Sequence, residues 1–165
     1  MSEHIAALKT VLVEKQGLLE CLSAVIEEEN RYVVGLDSSA LASTSARKEQ
    51  VFEKIALLNE KCRTVLESTN QELGLPCGSS LSHVVGRLKP PEQDVLRSLQ
   101  GKLIVIAKKN EQLLALNKDL LESSLSLMDR SMRLFASLLS NGGTYGMAGR
   151  LEVTPASARL VCQEI

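Results

Sequence analysis

At 165 residues with a formal net charge of −1, the chain has the length of one domain, or of one domain with a tail. Hydrophobic residues make up 44% of it but aromatic ones only 2%, and tryptophan is absent; such an aliphatic core suits helix-on-helix packing and argues against a sheet. Charges of both signs are interspersed, without the basic stripe that phosphate-backbone binding needs, which argues against nucleic acid as a partner.

Met1 to Leu12 carries Glu3 and lacks an uninterrupted apolar core, so it does not read as a signal peptide. The longest strongly apolar run, Leu103 to Ala107, is far too short to span a bilayer. A cytoplasmic protein without membrane insertion is expected.

Ile5, Leu8, Leu12, Leu19, Leu22, Ile26, Val33 and Leu36 recur at alternating steps of three and four, interrupted only by Lys15 and Glu29. That is a heptad-like seam on one helix from about Glu3 to Val34, roughly 48 Å long. Gly35-Leu36-Asp37-Ser38-Ser39 ends it, with Gly35 suited to the left-handed stop and Asp37 or a serine to capping the next helix. The second helix carries Leu41, Val51, Phe52, Ile55, Leu58, Cys62, Val65 and Leu66 and stops at Gly74-Leu75-Pro76. The short connection predicts an antiparallel hairpin. Residues 80–88, with Leu81, Val84, Val85 and Leu88, predict a brief bridging helix.

Lys89-Pro90-Pro91-Glu92 is a helix start, because proline is tolerated in a first turn and Glu92 and Asp94 complement the helix dipole. The third long helix then runs to about Ser140, where Asn141-Gly142-Gly143 stops it. Residues 144–165 read as a flexible tail with a weakly amphipathic end. The expected architecture is all-α: an elongated three-long-helix bundle or coiled coil over residues 1–140, with a tail over 141–165.

Residues with catalytic or ligand chemistry are scarce. His4 and His83 are the only histidines and neither belongs to a ligand set at zinc spacing, so no metal site is expected. Four cysteines occur without a C-x-x-C pair and read as reduced thiols, Cys21 and Cys62 being ordinary helix residues. The glycine-rich stretch from Gly143 to Gly149 lacks the strand and helix that flank a phosphate cradle, so no nucleotide or other cofactor is expected. Glu27-Glu28-Glu29 points in three directions around a helix and reads as a solvated face. No serine sits in a nucleophile elbow. The reading is a binding protein, not an enzyme.

The informative element is the third long helix. Leu99, Ile106, Leu113, Leu120, Leu127 and Leu134 form one heptad row. The neighbouring row reads Leu96, Leu103, Asn110, Asn117, Ser124, Ser131 and Leu138, so that four consecutive core positions are polar and shrink along the helix. Leu114, Leu121, Met128 and Phe135 run beside it, and beyond them Leu125, Met132 and Leu139. From Leu120 onward the apolar arc is about 160° wide at 100° per residue, with serines along its middle. Two readings stay open. In one, Asn110 and Asn117 fix register inside the bundle and the serines let a neighbouring helix approach closely. In the other, the end of this helix offers a shallow Leu/Met groove to a partner helix, for which methionine is suited because it repacks around different ligands. A self-paired dimer would use the same arc.

The layout resembles the FlgN family, cytoplasmic chaperones of the flagellar type III export system. The resemblance rests on Asp37, Leu41, Lys48, Val51-Phe52, Ile55, Leu58, Arg63 and Leu66 in the second helix, on Asn110-Glu111-Gln112-Leu113-Leu114, Asn117 and Leu120 in the third, and on Tyr145-Gly146-Met147-Ala148-Gly149. It runs from about Leu8 to Gly149, leaving out the link from Gly74 to Pro91. It implies a chaperone that binds hook-associated filament-junction proteins before export, covers C-terminal helical segments that would otherwise self-assemble, and delivers them to the export apparatus. The family's cargo-binding region lies toward the C-terminus, in agreement with the independent reading of the third helix. The expected mechanism is helix-in-groove capture. Leu120, Leu121, Leu127, Met128, Met132, Leu134 and Phe135 supply apolar contact, Ser124 and Ser131 allow close approach, and Tyr145 anchors the tail. The rival reading is a structural coiled-coil adaptor acting through self-association.

Overall fold

The computed structural model describes residues 3–140, with side chains described as far as residue 138. Among these residues there are four helices and no strand: α1 (Glu3–Gly35), α2 (Ser38–Glu72), α3 (Leu81–Arg87) and α4 (Glu92–Ser140). The fold is all-α, as composition and periodicity predict, and α3 is the expected bridging helix. The chain divides into two units, Met1–Leu121 and Glu122–Ile165.

The turn between α1 and α2 is built from two residues. Leu36 N–H donates to Val33 O and Asp37 N–H to Tyr32 O, which satisfies carbonyls of the last turn of α1 in the Schellman pattern. The left-handed residue of that pattern is Leu36, with φ 55°, and not Gly35, which still belongs to the helix. The expectation of a Gly35 stop is thus off by one position. Heptad spacing also put Leu36 on the core seam, yet at the turn its side chain is 70% exposed. Asp37 then caps α2, its carboxylate accepting from Ala40 N–H at 3.0 Å. At the other end of α2 the left-handed position does fall on glycine, Gly74 with φ 62°.

The α1 and α2 helices are antiparallel, as pairs of rising and falling number show: Glu14 with Lys61, Glu28 with Arg47, Glu29 with Lys48. One aliphatic cluster joins Ile5, Leu8 and Leu12 of α1 to Val84, Val85 and Leu88 of α3 and its exit, and to Leu96 and Leu99 of α4. A second joins Leu22, Ile26 and Val51, with Ile55, Leu113 and Leu114 against it. Each fully buried aliphatic side chain contributes about 1.5–3 kcal/mol. The α3 segment is tied on both sides: Asn70 Nδ2 donates to Ser79 O at 3.0 Å, and Gln93 Nε2 donates to Val85 O at 3.0 Å.

Two polar contacts join α1 to α4, at Asn110 between the clusters and at Asn117 beyond the second. Asn110 and Asn117 are both buried. Asn110 Nδ2 donates to Leu19 O at 2.9 Å, and the Ser23 hydroxyl donates to Asn110 Oδ1. Asn117 Nδ2 donates to Ile26 O at 2.9 Å, and Asn30 Nδ2 to Asn117 Oδ1 at 2.8 Å. Each of these pairs steps up by seven residues on both helices, so α1 and α4 run parallel here. Both asparagines thus lie inside the bundle, bonded across to α1.

The acidic triplet does not behave as one solvated face. Glu27 pairs with Lys109 of α4 at 2.8 Å and is half exposed. Glu28 carries Arg47 at 2.8 Å and accepts from the Tyr32 hydroxyl at 3.1 Å. Glu29 is 1% exposed. Its carboxylate takes both contacts of the Lys48 ammonium (2.5 and 2.7 Å), Ser45 Oγ at 3.2 Å and Asn117 Nδ2 at 3.1 Å. The solvated-face reading is therefore corrected for Glu29, which lies on the buried seam and keeps its charge through partners from two other helices.

Candidate functional site

From residue 122 onward α4 is helical to Ser140, and its sequence separates two faces. At 100° per residue, Glu122, Ser126, Asp129, Arg130, Arg133 and Ser137 fall on one side, and every large apolar residue falls on the other. Arg133 and Asp129 pair at 2.9 Å along the polar side. Nothing in this stretch interrupts the helix: it contains no proline, glycine or β-branched residue.

The apolar face is open. Leu127, Met128, Met132, Leu134 and Phe135 are all exposed, Leu127 to 67% and Met132 to 69%. Leu120, Leu121, Ser124 and Ser131 are half-buried. Tyr145 lies outside the described residues. Leu125 and Leu138 share the face and are exposed as well; the heptad pattern had placed both on the arc, though not among the candidate contacts. Scattered exposed leucines are ordinary on a protein surface, whereas here seven large apolar residues share one exposed helical face.

The serine row makes this face undemanding. Ser131 Oγ donates to Leu127 O at 2.9 Å, within its own helix. A hydroxyl satisfied in this way asks nothing of a partner, and its small volume leaves a shallow channel between the Leu127/Leu134 and Met128/Phe135 ridges. The channel is lined by aliphatic, thioether and aromatic side chains, with the serine hydroxyls as its polar groups.

Elsewhere the groups with chemical capacity are engaged or isolated. Hydrogen bonds from Tyr32 and then Arg47 hold the Glu28 carboxyl below its ordinary range, and the Tyr32 hydroxyl is correspondingly raised by Glu28. His83 is exposed and bonded to Ser80 Oγ. Cys21, Cys62 and Cys77 are free thiols. Among the described residues no group of three or more His, Cys, Asp or Glu side chains could hold a metal, and no helix is long and apolar enough to cross a membrane. A recess between α1 and α2, lined by Gly17, Leu18, Leu57 and Leu58 with Glu14, Lys54 and Lys61 at its edges, is open to solvent.

The FlgN family model, whose description is FlgN protein, matches residues 1–152. The chain belongs to the FlgN family. The match runs through the link from Gly74 to Pro91, which the resemblance read from the sequence had left out. Comparison with curated proteins and with solved structures gave no match. FlgN proteins are flagellar export chaperones, so the role of this chain is in flagellar protein export.

Proposed function

We propose that this FlgN-family chain captures C-terminal helical segments of hook-associated proteins in the cytoplasm, keeps them from assembling early, and hands them to the export apparatus. The observation that carries the reading is the contiguous exposed face of α4, from Leu125 to Leu138. A segment able to self-assemble into a helical junction has its own apolar stripe, and laying that stripe on the face buries both. Leu127, Leu134 and Leu120 form one wall, Leu121, Met128, Phe135 and Met132 the other, with Ser124 and Ser131 as the floor. Residues 141–165, with Tyr145 near their start, act as a separate tail that closes on the bound segment.

Titration calorimetry of the chain against C-terminal segments of the hook-associated proteins from the same organism tests this. A complex of sub-micromolar to low-micromolar Kd, lost on deletion of residues 120–149, is expected. Leu127→Asp places a carboxylate against an apolar stripe and removes an aliphatic contact, about 3 kcal/mol in all, so binding falls more than 100-fold while helicity stays. Unfolding of that variant would assign Leu127 to the protein's own core instead. The same face could serve a self-associating adaptor. Dimerisation seen in sedimentation, with no binding of any hook-associated segment, would establish that reading.

A further inference from the structure

Asn117 is the last buried residue of α4 among those described. Past it Leu120, Leu121, Ser124 and Ser131 are half-buried and the large apolar residues from Leu125 to Leu138 are exposed. What sets that boundary is the register of α4 on α1, which Leu96 and Leu99 favour from the first cluster but which the middle of the apolar row does not select. Leu99, Ile106, Leu113 and Leu120 repeat every seven residues, so sliding α4 by one heptad replaces one aliphatic side chain by another.

The polar row does discriminate. In the observed register the Asn110 amide meets Leu19 O and Ser23, while Asn117 meets Ile26 O, Asn30 and Glu29. Sliding α4 back by one heptad carries Asn110 to the level of Leu12, inside an aliphatic cluster. It also takes the Asn117 amide away from Glu29. Sliding α4 forward sets Leu103 against Ser23 and Asn117 against Val33, both buried on α1. Either slip strands a buried polar group, and leaving such a group unpaired is more costly than never burying it. Lys48 strengthens the choice, because it holds Glu29 charged and in place at 2.5 Å.

We infer that Asn117, backed by Glu29 and Lys48, is a positioning residue for the partner surface. It fixes α4 in one heptad register on α1 and thereby fixes where burial of α4 ends and its open apolar face begins. The functional consequence rests on the proposed function, whereas the register itself does not.

Distances between spin labels at Thr10→Cys and Lys108→Cys, both exposed sites, read the register directly in the full chain with its native cysteines replaced by serine. The parent gives one distance. Asn110→Leu combined with Asn117→Leu gives a second population, from α4 displaced by about 10 Å, one heptad at 1.5 Å per residue. Helicity stays and Tm is unchanged or higher, since leucine suits these positions. A single unchanged distance in the folded double variant overturns the inference. So does unfolding of both this variant and the corresponding pair of valine substitutions, because the asparagines would then supply stability and not register. Titration with a hook-associated C-terminal segment gives the second readout: apparent affinity falls with the slipped fraction, twofold when about half the molecules have slipped. Failure of the parent chain to bind leaves the distance result standing and overturns the proposed function instead.

Discussion

Replacing Lys48 by methionine keeps the length and apolar stem of the side chain and removes its charge. Glu29 is then a buried carboxylate with hydrogen bonds from Asn117 and Ser45 but no counter-ion. Breaking one side of a buried pair costs roughly 3–5 kcal/mol. Lys48 is 21% exposed at its side chain, which places this pair at or below the lower end, and about 2–3 kcal/mol is expected. The pH dependence is more diagnostic than the size. In the parent, burial raises the Glu29 carboxyl, and this largest single influence is outweighed by Lys48, Asn117 and Ser45 together, so the pKa is lowered. The stability Glu29 contributes is therefore present above the ordinary carboxylate value of roughly 4.3 and is lost as pH falls through the lowered value of the folded state. Without Lys48 burial prevails and the pKa rises. The variant's deficit is then full at neutral pH and shrinks as acid protonates Glu29 in the folded state. Urea unfolding of parent and variant at about pH 7.5 and about pH 5 measures both deficits. An equal deficit at the two pH values, or one under about 0.5 kcal/mol at the higher, would refute the account of Glu29 as a buried charge held by Lys48. Glu29→Met combined with Lys48→Met should recover most of the loss.

Leu36→Gly is expected to stabilise the chain by about 0.5–1 kcal/mol, seen as a raised Tm, because a left-handed leucine is strained and this one is mostly exposed. Asp37→Ala removes the α2 cap and should cost about 1 kcal/mol in urea unfolding. Leu8→Ala, at a fully buried position of the first cluster, should cost about 2–5 kcal/mol by the same measurement. Phe135→Ala should leave stability within about 0.5 kcal/mol of the parent, since its ring is 64% exposed, while weakening the captured segment in calorimetry.

Helix identity and ends were legible because local chemistry sets them. Pro90-Pro91 before α4 and Gly74 after α2 act within a few residues of their own position, and heptad spacing marks the face a helix buries. What the pattern withholds is the partner. Glu29 interrupts an otherwise aliphatic seam and in sequence resembles its acidic neighbours, although Ile26, Glu29 and Val33 continue that seam at steps of three and four. The signal lay on α2, where Lys48, Val51, Ile55 and Leu58 follow the same spacing. A cation on the facing apolar row is what a buried carboxylate requires. Leu36 was misplaced for the opposite reason: periodicity extends a helix face into a turn, where backbone geometry has already rotated the side chain away. On α4 the arc was legible as a pattern, and its exposure was not, because exposure depends on what other helices cover.

The two-residue turn at Leu36 and Asp37 also bears on the order in which the molecule is made. Contacts of α1 with α2 close short loops, as between Glu29 and Lys48, nineteen positions apart, whereas the asparagines of α4 reach partners 87 to 91 positions back. Short closures are entropically cheaper and faster. They therefore favour pairing of α1 with α2 before α4 joins them, with Ser23 and Asn30 on the side α4 will cover. A strip of water-compatible groups keeps that hairpin from presenting one unbroken oily stripe, which limits aggregation of the chain before α4 covers it.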